Sequence, residues 1–365
     1  MTLKLDSISL VVQGQSHLSD ISVRFEPGSF NVLLGRTLAG KTSLLRVIAG
    51  LDKPSQGQVL MNGMDMGGVR VQERNVAMVY QQFINYPNMS VFDNIASPLR
   101  IARQPENVIR SKVEEVAQLL HIEAFLKRLP NELSGGQQQR TAMARALVKE
   151  SDLILFDEPL VNLDYKLREE LRTELQLLLK ERNTIAVYAS SDPAEALALG
   201  GTVTLLHEGR AIQSGLTNEV YSHPQRIEAA ELFSEPPINV ISGTVTNRRI
   251  TLVNGVQFPM PSGLSLSPGD YRFGLRPHHL KMKAAADDSV ALDLSVDVAE
   301  LSGSETFLHL SAGEISVVAH LSGVHTYHTD ARTRLFFSPS ELYIFDLHGN
   351  TLHTPKASLS TGGVV

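Results

Sequence analysis

The chain has 365 residues, 42% of them hydrophobic and 20% charged, with a formal net charge of -6. That length accommodates two or three domains with ample core, and the acidic balance disfavours a general nucleic-acid binder, which needs a basic face. Cysteine is absent, which excludes a disulfide framework and thiol metal sites, and no apolar run approaches the ~20 residues of a membrane span, so membrane association is expected through a partner protein.

Met1-Thr2-Leu3-Lys4-Leu5 reads as the start of a strand rather than a signal peptide. Residues 3–33 read as short strands with polar turns such as Glu26-Pro27-Gly28. The apolar stretch Phe30-Asn31-Val32-Leu33-Leu34 reads as a buried strand. It runs into Gly35-Arg36-Thr37-Leu38-Ala39-Gly40-Lys41-Thr42, which fits the phosphate-loop pattern G-x-x-x-x-G-K-[ST]. From Ser43 the spacing is helical and ends on Gly50. Such a loop turns backbone N–H groups toward an anion at a helix N-terminus, where the dipole favours negative charge. Gly35 through Ser43 are therefore candidate nucleotide-binding residues. Lys41 is expected to reach the β- and γ-phosphates, and the Thr42 hydroxyl to ligate Mg²⁺.

Gln56-Gly57 and Asn62-Gly63 read as turns around Val59-Leu60-Met61, suggesting a hairpin. Val76 to Tyr80 is a further strand of an α/β core. From Pro105 to Arg128, Val108, Ile109, Val113, Val116, Leu119 and Leu120 fall on one helical face. Ser134-Gly135-Gly136 opens another helix, which runs through Leu147. Leu153-Ile154-Leu155-Phe156 reads as a central parallel strand with Asp157 and Glu158 at its C-terminal edge. At that edge Asp157 can hold Mg²⁺, usually through water, and Glu158 can orient or deprotonate an attacking water. Asn162 to Arg182 is a charged amphipathic helix, and Thr184 to Tyr188 the next buried strand. Asp192-Pro193-Ala194-Glu195 starts a helix, with Asp192 as N-cap and Glu195 closing a capping box. Alternating strands and helices imply a mainly parallel sheet. Beyond the hairpin turn at Glu208-Gly209-Arg210, a short helical linker carries Tyr221 and His223-Pro224. From Pro236, short alternating runs between Gly, Pro, Asn and Asp clusters indicate a small all-β domain, and the tail after His353 is expected to fray.

Leu133-Ser134-Gly135-Gly136-Gln137-Gln138-Gln139-Arg140 resembles the signature sequence of the ATP-binding cassette (ABC) family. The resemblance implies that Ser134, Gly135, Gly136 and Gln137 serve a nucleotide held by the opposite subunit, which makes a dimer of cassettes obligatory. Gln81 lies where the family's Mg²⁺-sensing glutamine lies, and Leu163-Asp164 resembles its D-loop. Tyr86 to Ile95 looks like the segment that, in carbohydrate importers of the maltose and glycerol-phosphate type, receives the membrane subunit's coupling helix. Pro237-Ile238-Asn239, Gly274-Leu275-Arg276-Pro277 and Leu342-Tyr343-Ile344-Phe345-Asp346 match landmarks of those proteins' C-terminal regulatory domain. The implied fold is α/β: a P-loop ABC ATPase domain over residues 1–234, with a mainly parallel sheet and a helical subdomain over about 88–150, then a small all-β OB-type domain over 235–365. The implied cofactors are ATP and Mg²⁺. The implied partners are a second ABC ATPase subunit, two membrane permeases and, indirectly, a solute-binding protein, with no nucleic acid, at the cytoplasmic face of the inner membrane. The implied solute is a sugar, a polyol such as glycerol, or a related small molecule. A nucleotide-binding regulator or a soluble ABC protein outside transport is the alternative.

Three departures from that pattern matter. Ser191 stands where the family has a switch histidine, and serine is too short to reach both the γ-phosphate and the attacking water. Losing one such transition-state contact typically costs ~2.7–4 kcal/mol, roughly 10²–10³ in rate. No aromatic residue lies near Val11-Val12-Gln13 to stack on adenine; His17 is the only ring between Ile8 and Asp20. Leu38 replaces a glycine usual in these importers and is expected to crowd the phosphate approach. With Glu158, Gln81, Asp157 and Ser134 intact, the expectation is an asymmetric pair: this chain's site binds Mg-ATP and turns over slowly, while its signature completes the site of a non-identical ATPase. A homodimer in which a neighbouring group replaces the imidazole is the alternative.

Overall fold

The computed structural model of the chain describes residues 1–161, 163–261 and 263–355. Asn162, the first residue of one expected helix, and most of the tail after His353 lie outside the described residues. The chain divides into two compact units, Met1–Thr217 and Asn218 onward. The sequence reading set its boundary at 234/235, some way later. The short helices at Thr217–Ser222 and Ile227–Leu232 account for the difference, because Ile227 and Ala230 pack with Ile238, Tyr343 and Phe345 of the second unit.

The strands of the first unit are β1 (Leu3–Val12), β2 (Gln15–Phe25), β3 (Phe30–Leu34), β4 (Gln56–Met61), β5 (Met64–Asp65), β6 (Val76–Val79), β7 (Leu153–Asp157), β8 (Ile185–Ser190), β9 (Thr202–His207) and β10 (Arg210–Leu216). They form an antiparallel sheet of order β2-β1-β4-β5 and a six-stranded sheet of order β10-β9-β3-β8-β7-β6. In the larger sheet only the β9–β10 pair is antiparallel. Every residue of β3, β7 and β8 is buried, which is why those segments read as continuous apolar runs. One face carries Leu33, Leu155, Val187 and Ala189, which pack on Leu44, Leu45 and Ile48 of helix α1 (Lys41–Ala49). The alternate residues Phe30, Phe156 and Tyr188 face the other way and cluster, with ring centroids 5.5–6.4 Å apart. Each such side chain contributes ~1.5–3 kcal/mol of burial, so the sheet edge above them is a rigid base.

Helices α2 (Val91–Ile101), α3 (Glu106–Leu119) and α4 (Gly135–Leu147) pack on one another between β6 and β7 in the chain. α3 ends at Leu119, short of the expected Arg128; Ile109, Val113 and Val116 of the expected face are buried in it, with Ala117 added and Val108 and Leu119 only partly buried. Helices α5 (Tyr165–Arg182) and α6 (Pro193–Leu199) flank β8. Two local expectations need correction. Gly57 is not in a turn but inside β4, at φ +81, where a Cβ would lie 2.3 Å from the Ser7 carbonyl oxygen. The ladder with β1 is irregular between Asp6 and Ser9, so the glycine serves a bulge. Glu195 does not close a capping box. Asp192 caps α6 as expected, accepting from the Ala194 and Glu195 N–H groups at 2.8 and 3.3 Å. The Glu195 carboxylate instead accepts from the buried Tyr188 hydroxyl at 2.6 Å and from the Ser190 hydroxyl.

The second unit is all-β after its two helices. One sheet runs in the order Gln257–Pro259, Arg249–Leu252, Asn239–Thr246, Gly269–Leu275, Tyr343–Phe345, Thr351–His353. The other runs Ile315–Ser322, Glu305–Ala312, Val290–Ser302, Arg332–Phe337. A single core that includes Ile250, Phe273, Leu292, Leu308 and Leu335 lies between them. Arg276 is buried beside the short helices, with Nη1 donating to Phe233 O at 3.1 Å, Nη2 to Tyr221 O at 2.7 Å and Nε to the Tyr343 hydroxyl at 3.2 Å.

Candidate nucleotide site

Four neighbouring strands, β3, β8, β7 and β6, end at one edge of the larger sheet. Gly35 follows β3, Ser191 follows β8, Asp157 ends β7, and Gln81 lies just beyond β6. Ligands bind at such carboxyl edges of parallel strands. Backbone bonds lock the edge: Gly35 N–H donates to Ser190 O at 3.3 Å, and Glu158 N–H to Ala189 O at 3.1 Å.

The glycine loop connects β3 to α1. Gly40 sits at φ 100 directly before the helix, and a Cβ there would lie 2.9 Å from the Leu18 side chain. Leu38 has φ 68 and is 96% exposed. Glycine would adopt this left-handed backbone without cost, and the exposed leucine side chain lines the cavity beside the loop. Lys41 is buried, and its ammonium donates to Gly35 O at 2.7 Å and Arg36 O at 3.2 Å. The same ammonium lies 3.4 Å from Glu158 Oε1. Glu158 also accepts from Gln81 Nε2 at 3.0 Å. Its φ of 49 is left-handed, a conformation that costs a non-glycine residue ~1–2 kcal/mol and is held here by the bond to Ala189. The Thr42 hydroxyl donates to Asp157 Oδ2 at 2.9 Å. Burial holds the Asp157 carboxyl above its ordinary pKa, Glu158 pushes the same way, and the Thr42 bond and Lys41 oppose them.

Lys41, Thr42, Gln81 and Glu158 line a cavity of about 650 Å³ with Thr37, Leu38, Gly40 and Ser43, while Asp157, bonded to Thr42, is not part of that lining. Sequence reasoning missed part of that lining: Gln15, Ser16, Glu208 and Gly209 also face it, beside His17. The two hairpins that supply them are tied to the loop, Gly209 N–H donating to Ala39 O at 3.1 Å and Ser19 N–H to Gly209 O at 2.8 Å. The only sequence signal was their turn chemistry, at Gly14 and at Glu208-Gly209. Ser191 is exposed at the end of β8.

Ser134 is the N-cap of α4. Its hydroxyl accepts from Gln137 N–H at 3.4 Å, and Gln137 Oε1 accepts from Ser134 N–H at 3.0 Å. Gly135 and Gly136 form the first turn. Asp164 caps α5, accepting from Leu167 N–H at 3.0 Å. Neither Ser134, Gly135, Gly136 and Gln137 nor Asp164 belongs to the cavity lining that contains Lys41. Within one chain the signature and the phosphate loop do not share a cavity.

The oxygen donors Thr42 and Asp157, with Gln81 beside them, fit Mg²⁺, which takes one or two carboxylates plus phosphate oxygens and water. A cation there would relieve the charge penalty on Asp157.

A buried lysine and an exposed threonine at a helix N-terminus, with two acids and a glutamine at the adjoining strand ends, define a P-loop nucleotide triphosphatase. Residues 18–161 match the family model for ABC transporters. The chain is 35% identical over 350 residues to the sn-glycerol-3-phosphate import ATP-binding protein UgpC of Yersinia enterocolitica, covering 94% of this chain and 97% of that protein. It is 33% identical over 348 residues to the protein of the same name in Escherichia coli K12. Two solved structures, a dimeric post-hydrolysis state of an ATP-binding cassette bound to ADP and Pi and a dimeric bacterial ABC transporter cassette, each match at TM-score 0.55 and 27% identity over 59% of this chain and 98% of that chain. This chain belongs to the ATP-binding subunits of ABC transporters of the carbohydrate and polyol importer type. It is an ATP hydrolase, and its cofactors are ATP and Mg²⁺. Among the described residues no helix is long and apolar enough to cross a membrane.

Proposed function

We propose that this chain powers a membrane importer for a sugar, a polyol such as glycerol, or glycerol 3-phosphate, and that it does so as one half of an asymmetric ATPase pair at the cytoplasmic face of the inner membrane. The observation that carries the reading is the division of labour within one chain. Lys41, Thr42, Gln81, Asp157 and Glu158 converge at one sheet edge, while Ser134 presents a second helix N-terminus elsewhere. A second cassette must therefore supply the facing signature. The proposed partners are a non-identical ATPase, two permeases that dock on the Tyr86–Ile95 region, and a solute-binding protein.

In the mechanism the triphosphate takes the place of the carbonyl and carboxylate oxygens around Lys41. Lys41 then turns from Gly35 O, Arg36 O and Glu158 toward the β- and γ-phosphates, and Glu158 is released to orient the attacking water. Mg²⁺, when bound, would supply neutralisation of the charge that develops on the phosphates. Thr42 and Asp157 hold that ion. Gln81, hydrogen-bonded to Glu158, reports the state of the site to the segment that follows it. Ser191 gives the γ-phosphate no imidazole contact, so the chain's own site binds Mg-ATP and hydrolyses it slowly.

The test is affinity purification of the tagged full chain from detergent-solubilised membranes of its own host. Recovery with two multi-span permeases and a second, non-identical ATPase is expected. Recovery only as a homodimer refutes the asymmetric pair, and recovery without permeases refutes the transport role.

A further inference from the structure

The cavity at the phosphate loop has two chemically different ends. Glu158 and Gln81 occupy one, at the ends of β7 and β6. Glu208 and Gly209 occupy the other, in the turn that joins β9 to β10. The strand order puts β9 on one side of β3 and β7 two strands away on the other, so the two ends lie three strand spacings apart, about 14 Å. Gly40 lies between them, and a Cβ there would be 3.0 Å from His17 O and 3.5 Å from Gly209 Cα. A triphosphate that lays its β- and γ-phosphates on Lys41, with the γ-phosphate toward Glu158, must therefore send its nucleoside toward the hairpin turns.

That end offers a nucleoside little to stack on. His17 carries the one ring among the residues that line the cavity, and Val11 and Val12 before the turn are exposed aliphatic side chains. Stacking is in any case tolerant, because every base has a π-face, so choice between bases falls to hydrogen-bonding groups. Gln15 and Ser16 carry both donor and acceptor and fit any base edge. Glu208 is different, since a carboxylate only accepts. Its side chain is exposed and, among the described residues, makes no hydrogen bond or ion pair. Its backbone is fixed: it precedes Gly209, whose N–H donates to Ala39 O at 3.1 Å. Guanine presents two adjacent donors, N1–H and N2–H, which match one carboxylate in a bidentate pair. Adenine presents a donor at N6 beside the lone pair of N1, which a carboxylate repels.

We propose that this phosphate-loop site takes GTP as well as ATP, and that Glu208 is the residue that reads the guanine edge. The proposal rests on the nucleotide-site reading above and extends the substrate class of that same site.

The experiment is equilibrium titration of the full chain with Mg-ATP and with Mg-GTP, comparing wild type, Glu208→Gln and Lys41→Ala. The glutamine amide carries one donor and one acceptor, the complement of adenine N1 and N6, and keeps the shape of an exposed turn residue. In the wild type the dissociation constant for Mg-GTP is expected within about threefold of that for Mg-ATP, or below it. In Glu208→Gln, Mg-GTP should bind roughly tenfold more weakly while Mg-ATP holds or tightens, the discrimination typical of one bidentate base contact. A wild-type preference for Mg-ATP beyond the threefold range overturns the proposal. So does an unchanged ratio of the two constants in Glu208→Gln, whether both hold or both rise together, the second being the mark of a ribose contact. Lys41→Ala should bind neither nucleotide. If wild type binds neither, or Lys41→Ala binds both as wild type does, the nucleotide-site reading itself falls, and the proposal with it.

Discussion

Replacing Ser191 by histidine should convert the chain's own site from a slow one to a fast one. The structure fixes where that side chain would start. Leu34 pairs with Ser190 across the β3–β8 ladder, Gly35 N–H donates to Ser190 O at 3.3 Å, and Glu158 N–H donates to Ala189 O at 3.1 Å. Position 191 is therefore one residue beyond the point where Gly35 of the phosphate loop and Glu158 are both bonded to β8. Serine ends one atom past Cβ, whereas the distal imidazole nitrogen of a histidine lies several bonds farther from the backbone of this strand end. A preorganised donor to a transition-state oxyanion is worth ~2.7–4 kcal/mol, so kcat should rise by roughly 10²–10³. Because position 191 is exposed, stability should move by no more than about 0.5 kcal/mol. The assay is steady-state phosphate release by the purified chain over a range of protein concentrations, with a Glu158→Gln version of the same variant as the blank. The gain should grow with concentration, since Ser134 must come from a second copy. Equal turnover by wild type and Ser191→His would show that another group already makes the contact, and the asymmetric reading would fail.

Lys41→Ala should fold normally yet lose nucleotide-dependent stabilisation: wild type at 100 times its dissociation constant gains ~2.7 kcal/mol from Mg-ATP, and the variant should gain none in a thermal melt. Leu38→Gly removes a left-handed leucine worth ~1–2 kcal/mol of strain and adds ~0.5–1 kcal/mol of unfolded-state entropy, so the urea midpoint should rise slightly; a fall would contradict the conformational account. Asp157→Asn should stabilise the nucleotide-free chain at pH 7 while abolishing the Mg²⁺ dependence of binding. The sign follows from a folded pKa raised above 3.8: as pH rises past that value the unfolded chain releases its proton first, so the folded state loses stability until the folded carboxyl has also ionised. The variant's advantage in melting temperature should therefore vanish near pH 3. Glu195→Ala leaves the buried Tyr188 and Ser190 hydroxyls without their acceptor, at ~1–3 kcal/mol each, whereas Glu195→Gln keeps a carbonyl oxygen and should cost clearly less by denaturant titration.

The elements that the sequence exposes are those whose burial is complete or whose periodicity is local. β3, β7 and β8 are buried on both faces, so their apolar runs are unambiguous, and α3 displays its stripe at helical spacing. The phosphate loop, the two acids and the signature are legible for a different reason: each sits where one strand or helix begins or ends, so its chemistry depends on a few consecutive residues. What depends on chain-distant pairing is hidden. Gln15, Ser16 and Glu208 reach the cavity only because two hairpins are bonded to the loop, through Gly209 and Ala39, and no spacing rule encodes that. Glu195 illustrates a local rule displaced by a tertiary one. Three residues after an N-cap its pattern suits a capping box, but the Tyr188 hydroxyl, buried among Phe30 and Phe156, has stronger need of the carboxylate than the exposed helix start does.

The backbone of Glu158 is the clearest case of function written in strain rather than in residue type. Asp157 completes a regular strand, and the next residue must leave it sharply for its carboxylate to face Lys41 and Gln81. A φ of 49 accomplishes that turn, and the bond from its N–H to Ala189 O on the neighbouring strand holds it. Glycine would adopt the turn without cost but would carry no carboxylate. The site therefore requires an acid in a conformation that acids resist, and only the adjacent strand β8 makes the combination stable. It is that same strand whose next residue, Ser191, lacks the imidazole. The chain combines the costly backbone geometry that aims Glu158 with a serine, not a histidine, beside it. In the proposed asymmetric pair, that combination lets the strand edge bind and position Mg-ATP while a partner would carry the faster turnover.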